Sequence, residues 1–145
     1  MIISHVTEGT KLADKYNLPD VIKDFITTHH GQGKTKYFYV QYKNAHQDEE
    51  VDDLLFTYPG PNPFTKEQAI LMMADTVEAA SRSLPDYTEK SIRELVERLI
   101  DTQVAEGYFK ECPITFRDIA YAKTVLIEKL KTIYHTRLSY PELKK

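Results

Sequence analysis

Apolar residues return at helical spacing in almost every segment of this 145-residue chain, and no stretch alternates as paired strands do. The run from Ser91 to about Glu106 shows it best. Ile92, Leu95, Val96, Leu99, Ile100 and Val104 share one stripe of a 3.6-residue helix, with Thr88 as its cap and Gly107 as its stop. Thr65-Lys66-Glu67-Gln68 has the form of a capping box and opens a helix through AILMMADTVEAASRSL, which Pro85 ends. Thr115, with Asp118 three residues on, opens the last helix, whose apolar positions include Ile119, Val125, Leu126, Leu130, Ile133 and Tyr134.

The amino-terminal half follows the same rule. A first helix is expected near Ile3 to Tyr16, with Val6 and Leu12 apolar, and Asn17-Leu18-Pro19 breaks it. Pro19 suits the first turn of a second helix, where its missing N–H costs nothing. That helix carries Val21, Ile22, Phe25 and Ile26 on one face and ends near His29-His30-Gly31. Lys36 to Ala45, with Tyr37, Phe38, Tyr39 and Tyr42, reads as a short helix, and HQDEEVDD as a solvated stretch. TYPGPNPF, with three prolines and a glycine, reads as an ordered loop. The expectation is one all-α domain over residues 1–145, a bundle of about five or six helices.

Composition narrows the function classes. The net charge is −3 with acidic and basic residues interspersed, so no basic stripe points to nucleic acid and no polybasic patch to a membrane surface. No segment is long and apolar enough to cross a bilayer. A single cysteine, Cys112, cannot close an intrachain disulfide. It reads as a small loop or core residue in a reducing compartment.

The residues that invite chemistry are few. Asp75 lies among apolar and small residues in ILMMADTVEAA, and a buried carboxylate there needs a cation or several donors. Glu78 follows on nearly the same face, and Ser81 and Arg82 about two turns on. His29 and His30 end a helix against a glycine that lets the chain turn away. Each has an everyday alternative: Asp75 as an acceptor for a neighbouring helix end, the histidine pair as a cationic helix terminus, His5 as a hydrogen-bonded structural residue. His46 reads as solvent-facing, and His135 as a residue without chemistry at the end of the last helix.

Taken together, SHVTEG, LPDVIKDFITTHHG, KYFY and YPGPNPFTKEQAILMMADTVEAASRSL resemble one family. It is that of the seven-transmembrane HD-domain phosphodiesterases of the PgpH type, which hydrolyse cyclic di-AMP. The resemblance runs from about Ile2 to Pro141. It implies an HD-domain-like helical bundle with two divalent transition-metal ions, iron or manganese, in the complete domain. It implies metal ligands at His5, His29, His30 and Asp75, and substrate contacts at Tyr39, Arg82 and the Tyr58 to Pro63 loop, including Gly60 and Asn62. It places the domain on the cytoplasmic side of a membrane protein, with a cyclic dinucleotide as partner.

The family's earlier histidine and its His-Asp doublet lie upstream of the segment resembling SHV, and no His-Asp doublet occurs in these residues. The expectation is therefore the carboxy-terminal portion of the catalytic domain, truncated at its amino-terminal side. Such a portion holds no ion or one and is weak or inactive alone. It also leaves an apolar face bare, which predicts self-association. The alternative is a non-catalytic nucleotide- or metal-binding sensor or interaction module, and a plain helical interaction domain is the third reading.

Overall fold

The structure is a computed structural model that describes residues 3–34, 36–47, 49–50 and 52–139, without the side chains of 36–38, 53–54 and 136–139. The ends of the resemblance at Ile2 and Pro141, part of the acidic HQDEEVDD stretch, and the Tyr37 and Phe38 side chains lie outside that description. Six α-helices follow in order among the described residues: α1 Ser4–Lys15, α2 Asp20–Thr28, α3 Lys36–Ala45, α4 Lys66–Ser81, α5 Glu89–Ala105 and α6 Phe116–Ser139. A 3-10 turn occupies Asp53–Phe56.

The helix starts follow from local chemistry. Thr65 Oγ1 accepts the Gln68 N–H, while Gln68 Oε1 accepts the N–H groups of Thr65 and Phe64, so the expected capping box closes. Thr115 and Asp118 repeat the exchange at the head of α6, each bond 3.0 Å long. Thr88 caps α5 as expected, yet that helix begins at Glu89, two residues early. Pro19 is the N-cap of α2, one place before the expected first turn, with an extended ψ of 152°. The α4 helix stops at Ser81 and not near Leu84. The Ser83 and Leu84 N–H groups turn back to the carbonyls of Ala80 and Ser81 instead.

The core lies where α4, α5 and α6 meet. Met73, Val77, Ile92, Val96 and Ile100 are almost wholly buried, and Ile127, Leu130 and Tyr134 close over them. Tyr134 stacks on Tyr87 at 3.8 Å, and its hydroxyl lies 2.7 Å from Ser81 Oγ. Cys112 is a free thiol, half-buried against this core. The first two helices pack on each other, tied by Lys23 Nζ donating to Asp14 Oδ1 at 2.8 Å, and α2 leans on α4.

The expected apolar faces of α1 and α2 are only partly covered. Val6 is buried, but Leu12 is 56%, Val21 64% and Ile22 43% exposed. Amphipathic spacing sets which side of a helix is apolar. It does not supply a neighbour to cover that side, and no described element packs over Val21.

Candidate metal centre

Three chain segments converge beside α4. His5 stands in the first turn of α1, where the helix direction carries it toward the end of α2. His29 is the C-cap of α2, and His30 follows it. Gly31 then takes a φ of +51°, and its N–H bonds the Thr28 carbonyl at 2.9 Å, so the chain reverses with both imidazoles left facing His5. A Cβ on Gly31 would stand 2.6 Å from Asn62 Oδ1 and 3.0 Å from Met72 Cε, so only glycine fits without displacement.

His5, His29 and His30 each offer a ring nitrogen within 4.8 Å of the other two. His5 Nε2 lies 3.4 Å from His29 Nε2. Two nitrogens bound to one ion at roughly 2.0–2.1 Å sit about that far apart. His29 Nδ1 donates to the Ile26 carbonyl at 2.7 Å, which fixes the proton there and leaves the lone pair of Nε2 available to a metal ion. A ring held by its outer nitrogen to a backbone carbonyl, with the inner one aimed at two further imidazoles, fits a divalent transition ion.

Asp75 stands just outside this trio. Its Oδ2 lies 3.8 Å from His30 Nδ1, and its side chain is 45% exposed. The expected burial of Asp75 is therefore corrected. Met73 and Val77 turn into the core, and Asp75 occupies the flank of α4 that looks at the histidines.

Electrostatics keeps His30 ready as a neutral ligand. Burial, and after it the neighbouring His29, pull its pKa down from 6.5 to about 4, against the opposing pull of the Asp75 carboxylate. Tyr58 stacks on His30 at 4.4 Å with an interplanar angle of 18°. Burial and the Asp75 charge push the Tyr58 phenol up, so it stays protonated.

The residues expected to meet substrate divide. Tyr58 belongs to the centre. Gly60 and Asn62 brace the turn after the histidines: Asn62 Oδ1 accepts the Gln32 N–H at 2.7 Å, and Gly60 lies against the Gln32 side chain. Gly33 and Tyr58 add a backbone bond of 2.8 Å beside the Lys34–Thr57 bridge. Tyr39 packs on Phe56 at 5.6 Å, with Lys34 Nζ 5.0 Å from its ring centre. Arg82 is exposed and held by Glu78 through two hydrogen bonds of 3.1 and 2.5 Å, which raise its pKa further. His46, half-buried, stacks on the exposed Tyr42 at 4.1 Å.

The sequence reading missed a cleft of about 220 Å³ that shares His29, His30 and Tyr58 with the centre. Its other wall comes from α4 and α5 and includes Met72, Thr76, Leu99 and Gln103. The available signal was a glutamine at position 103, in register with the apolar stripe of α5.

No family model matches the chain. It is 38% identical over 145 residues, its full length, to the cyclic-di-AMP phosphodiesterase PgpH of Bacillus subtilis. It is 38% identical over 142 residues to PgpH of Listeria monocytogenes. The chain spans 20% of the length of each of these relatives. Among solved structures it superposes on the L. monocytogenes PgpH HD domain with a TM-score of 0.84 at 36% identity, over 92% of this chain and 62% of that one. The same domain in complex with cyclic-di-AMP gives a TM-score of 0.86 at 37% identity, over 92% of this chain and 61% of that one.

Proposed function

The chain is a homologue of the PgpH HD domain, with the same all-α fold, and on that premise we propose that it is part of a metal-dependent phosphodiesterase acting on a cyclic dinucleotide, cyclic di-AMP. The observation that carries this reading is the convergence of three imidazoles to within 4.8 Å in a fold shared with a solved phosphodiesterase domain. His5, His29 and His30 would hold one divalent transition ion, iron or manganese, and Asp75 would serve a second only in the complete domain, where upstream ligands join it. Such ions supply Lewis acidity toward a phosphoryl oxygen. The protein's own part is positional. Ile26 fixes the tautomer of His29, Tyr58 holds the plane of His30, and Asn62 holds the turn behind both.

No His-Asp doublet occurs in the sequence. We therefore assign this chain at most one ion and weak or absent turnover by itself. The same lack favours a second reading, a nucleotide- or metal-binding module that keeps the cleft without the reaction. Among the described residues no helix is long and apolar enough to cross a membrane. The free Cys112 thiol fits the reducing interior of a cell, and we place the domain on the cytoplasmic side of its parent. Uncovered apolar residues on α1 and α2 support self-association through that face.

The test combines calorimetric titration with cyclic di-AMP and chromatographic assay for linear product, in manganese and in ferrous iron. Binding with little or no product is the expected result. Rapid turnover by the chain alone would overturn the assignment of a single ion, and absence of binding would overturn the choice of ligand.

A further inference from the structure

Gln103 is 6% exposed and sits where α5 otherwise turns apolar residues inward. Its Nε2 donates to Thr76 Oγ1 at 3.0 Å, which links α5 to α4. Its Oε1 is the one buried side-chain oxygen or nitrogen without a hydrogen-bond partner among the described residues. Folded proteins seldom leave such an acceptor unpaired, because its lost hydration is returned by nothing. Exchanging the two ends of the amide does not help. Thr76 can satisfy one end, and the other stays orphaned.

The residue that carries this orphan borders a cavity. Gln103 lines the same 220 Å³ cleft as His29, His30 and Tyr58, where Met72 and Leu99 supply apolar surface and Lys34, Thr102 and Glu106 polar groups. That volume lies below the roughly 300–1,000 Å³ of sites that enclose a drug-sized ligand, so it suits one planar ring system. An aromatic ring, apolar side chains and a primary amide lining one cleft are the elements of a base-reading pocket. A glutamine amide pairs with an adenine edge, its oxygen accepting from the exocyclic amino group. Guanine presents a carbonyl oxygen at the equivalent place, acceptor against acceptor while Nε2 stays bonded to Thr76. The last torsion of glutamine is broad, so Oε1 can swing to meet an entering base.

We infer that Gln103 is a specificity-determining residue that reads one amino-bearing purine base in this cleft, with the attached phosphate directed toward His29 and His30. The identity of the ligand rests on the cyclic dinucleotide reading above; the base preference stands apart from it. The histidines form one wall of the cleft, so a base seated there keeps its phosphodiester next to the metal ligands.

The experiment follows the Gln103 side-chain amide by nitrogen–proton correlation spectra of the full chain while AMP, GMP and cyclic di-AMP are titrated separately. AMP is expected to shift that amide and to bind about tenfold better than GMP. Gln103→Leu is expected to bring the two nucleotides within about twofold of each other, with a melting temperature unchanged or raised because an unpaired acceptor has gone. Gln103→Glu keeps an acceptor and is expected to keep AMP binding. Equal binding of AMP and GMP by the unchanged chain overturns the inference. So does an undiminished preference in Gln103→Leu, the result if a buried water satisfies Oε1. A preference for AMP that depends on Gln103, with no binding of cyclic di-AMP, sustains the base assignment and sinks the dinucleotide reading. Cyclic di-AMP binding with no dependence on Gln103 does the reverse.

Discussion

Nδ1 of His30 lies 3.8 Å from Oδ2 of Asp75, across the gap between the end of α2 and the flank of α4. The opposite influence of burial and of His29 nonetheless holds the His30 pKa near 4, so the pair is a neutral imidazole beside a carboxylate and not a salt bridge at neutral pH. This ordering of effects has a measurable consequence for stability.

His30 is neutral in the folded chain down to about pH 4, whereas the unfolded chain takes up its proton near pH 6.5. Between those values the unfolded state binds more protons, so stability rises with pH through that window and falls as pH is lowered. The contribution is full above about pH 6.5 and gone below about pH 4, and amounts to about 3 kcal/mol at most. Urea unfolding in chelator at a series of pH values should show the decline, and His30→Gln should flatten it. A slope unchanged by that substitution would show that other groups cause the decline.

The turn after the histidines should tolerate no side chain. Gly31→Ala places a Cβ against Asn62 Oδ1 and Met72 Cε in a left-handed backbone. A loss of about 1–3 kcal/mol is expected, read as a lower urea midpoint at unchanged slope. Metal affinity should fall with it, because the same turn orients both imidazoles. Asn62→Ala should cost less, about 1 kcal/mol, since it removes one hydrogen bond to the Gln32 N–H. Full stability in Gly31→Ala would show that the turn can relax.

The bare side of α2 predicts association. Val21 and Ile22 are 64% and 43% exposed, and Leu12 on α1 is 56% exposed. Light scattering over a concentration series should show a growing mass for the unchanged chain. Val21→Glu with Ile22→Lys should keep the chain monomeric at little cost in stability, since neither residue is buried. A monomer at high concentration without these changes would remove the proposal.

Local and distant information explain what the sequence revealed. Caps were legible because they are short-range: Thr65 with Gln68, and Thr115 with Asp118, each exchange bonds within three residues. The three histidines were named through resemblance, and their mutual approach is a tertiary fact that no spacing in the chain encodes. Asp75 misled the reading. Apolar neighbours along the chain suggested burial, but successive helix positions point about 100° apart, and Asp75 falls on the flank. The bond from the Gln32 N–H to Asn62 Oδ1 joins residues thirty positions apart, so no local pattern announces it. Gln103 escaped notice because one polar residue in an apolar stripe looks unremarkable until its unpaired oxygen and the cleft are seen together.

The central claim is that His5, His29 and His30 form one ion site in this chain. The direct measurement is equilibrium binding of manganese to protein stripped by chelator, with elemental analysis of metal per chain. The account predicts saturation at one ion, and affinity lowered about 10- to 100-fold by His29→Ala in a variant that still folds. Its Tyr58→Phe counterpart should bind nearly as well, because Tyr58 supports His30 by stacking and not through its hydroxyl. No binding by the unchanged chain, two ions per chain, or an affinity indifferent to His29 would contradict it.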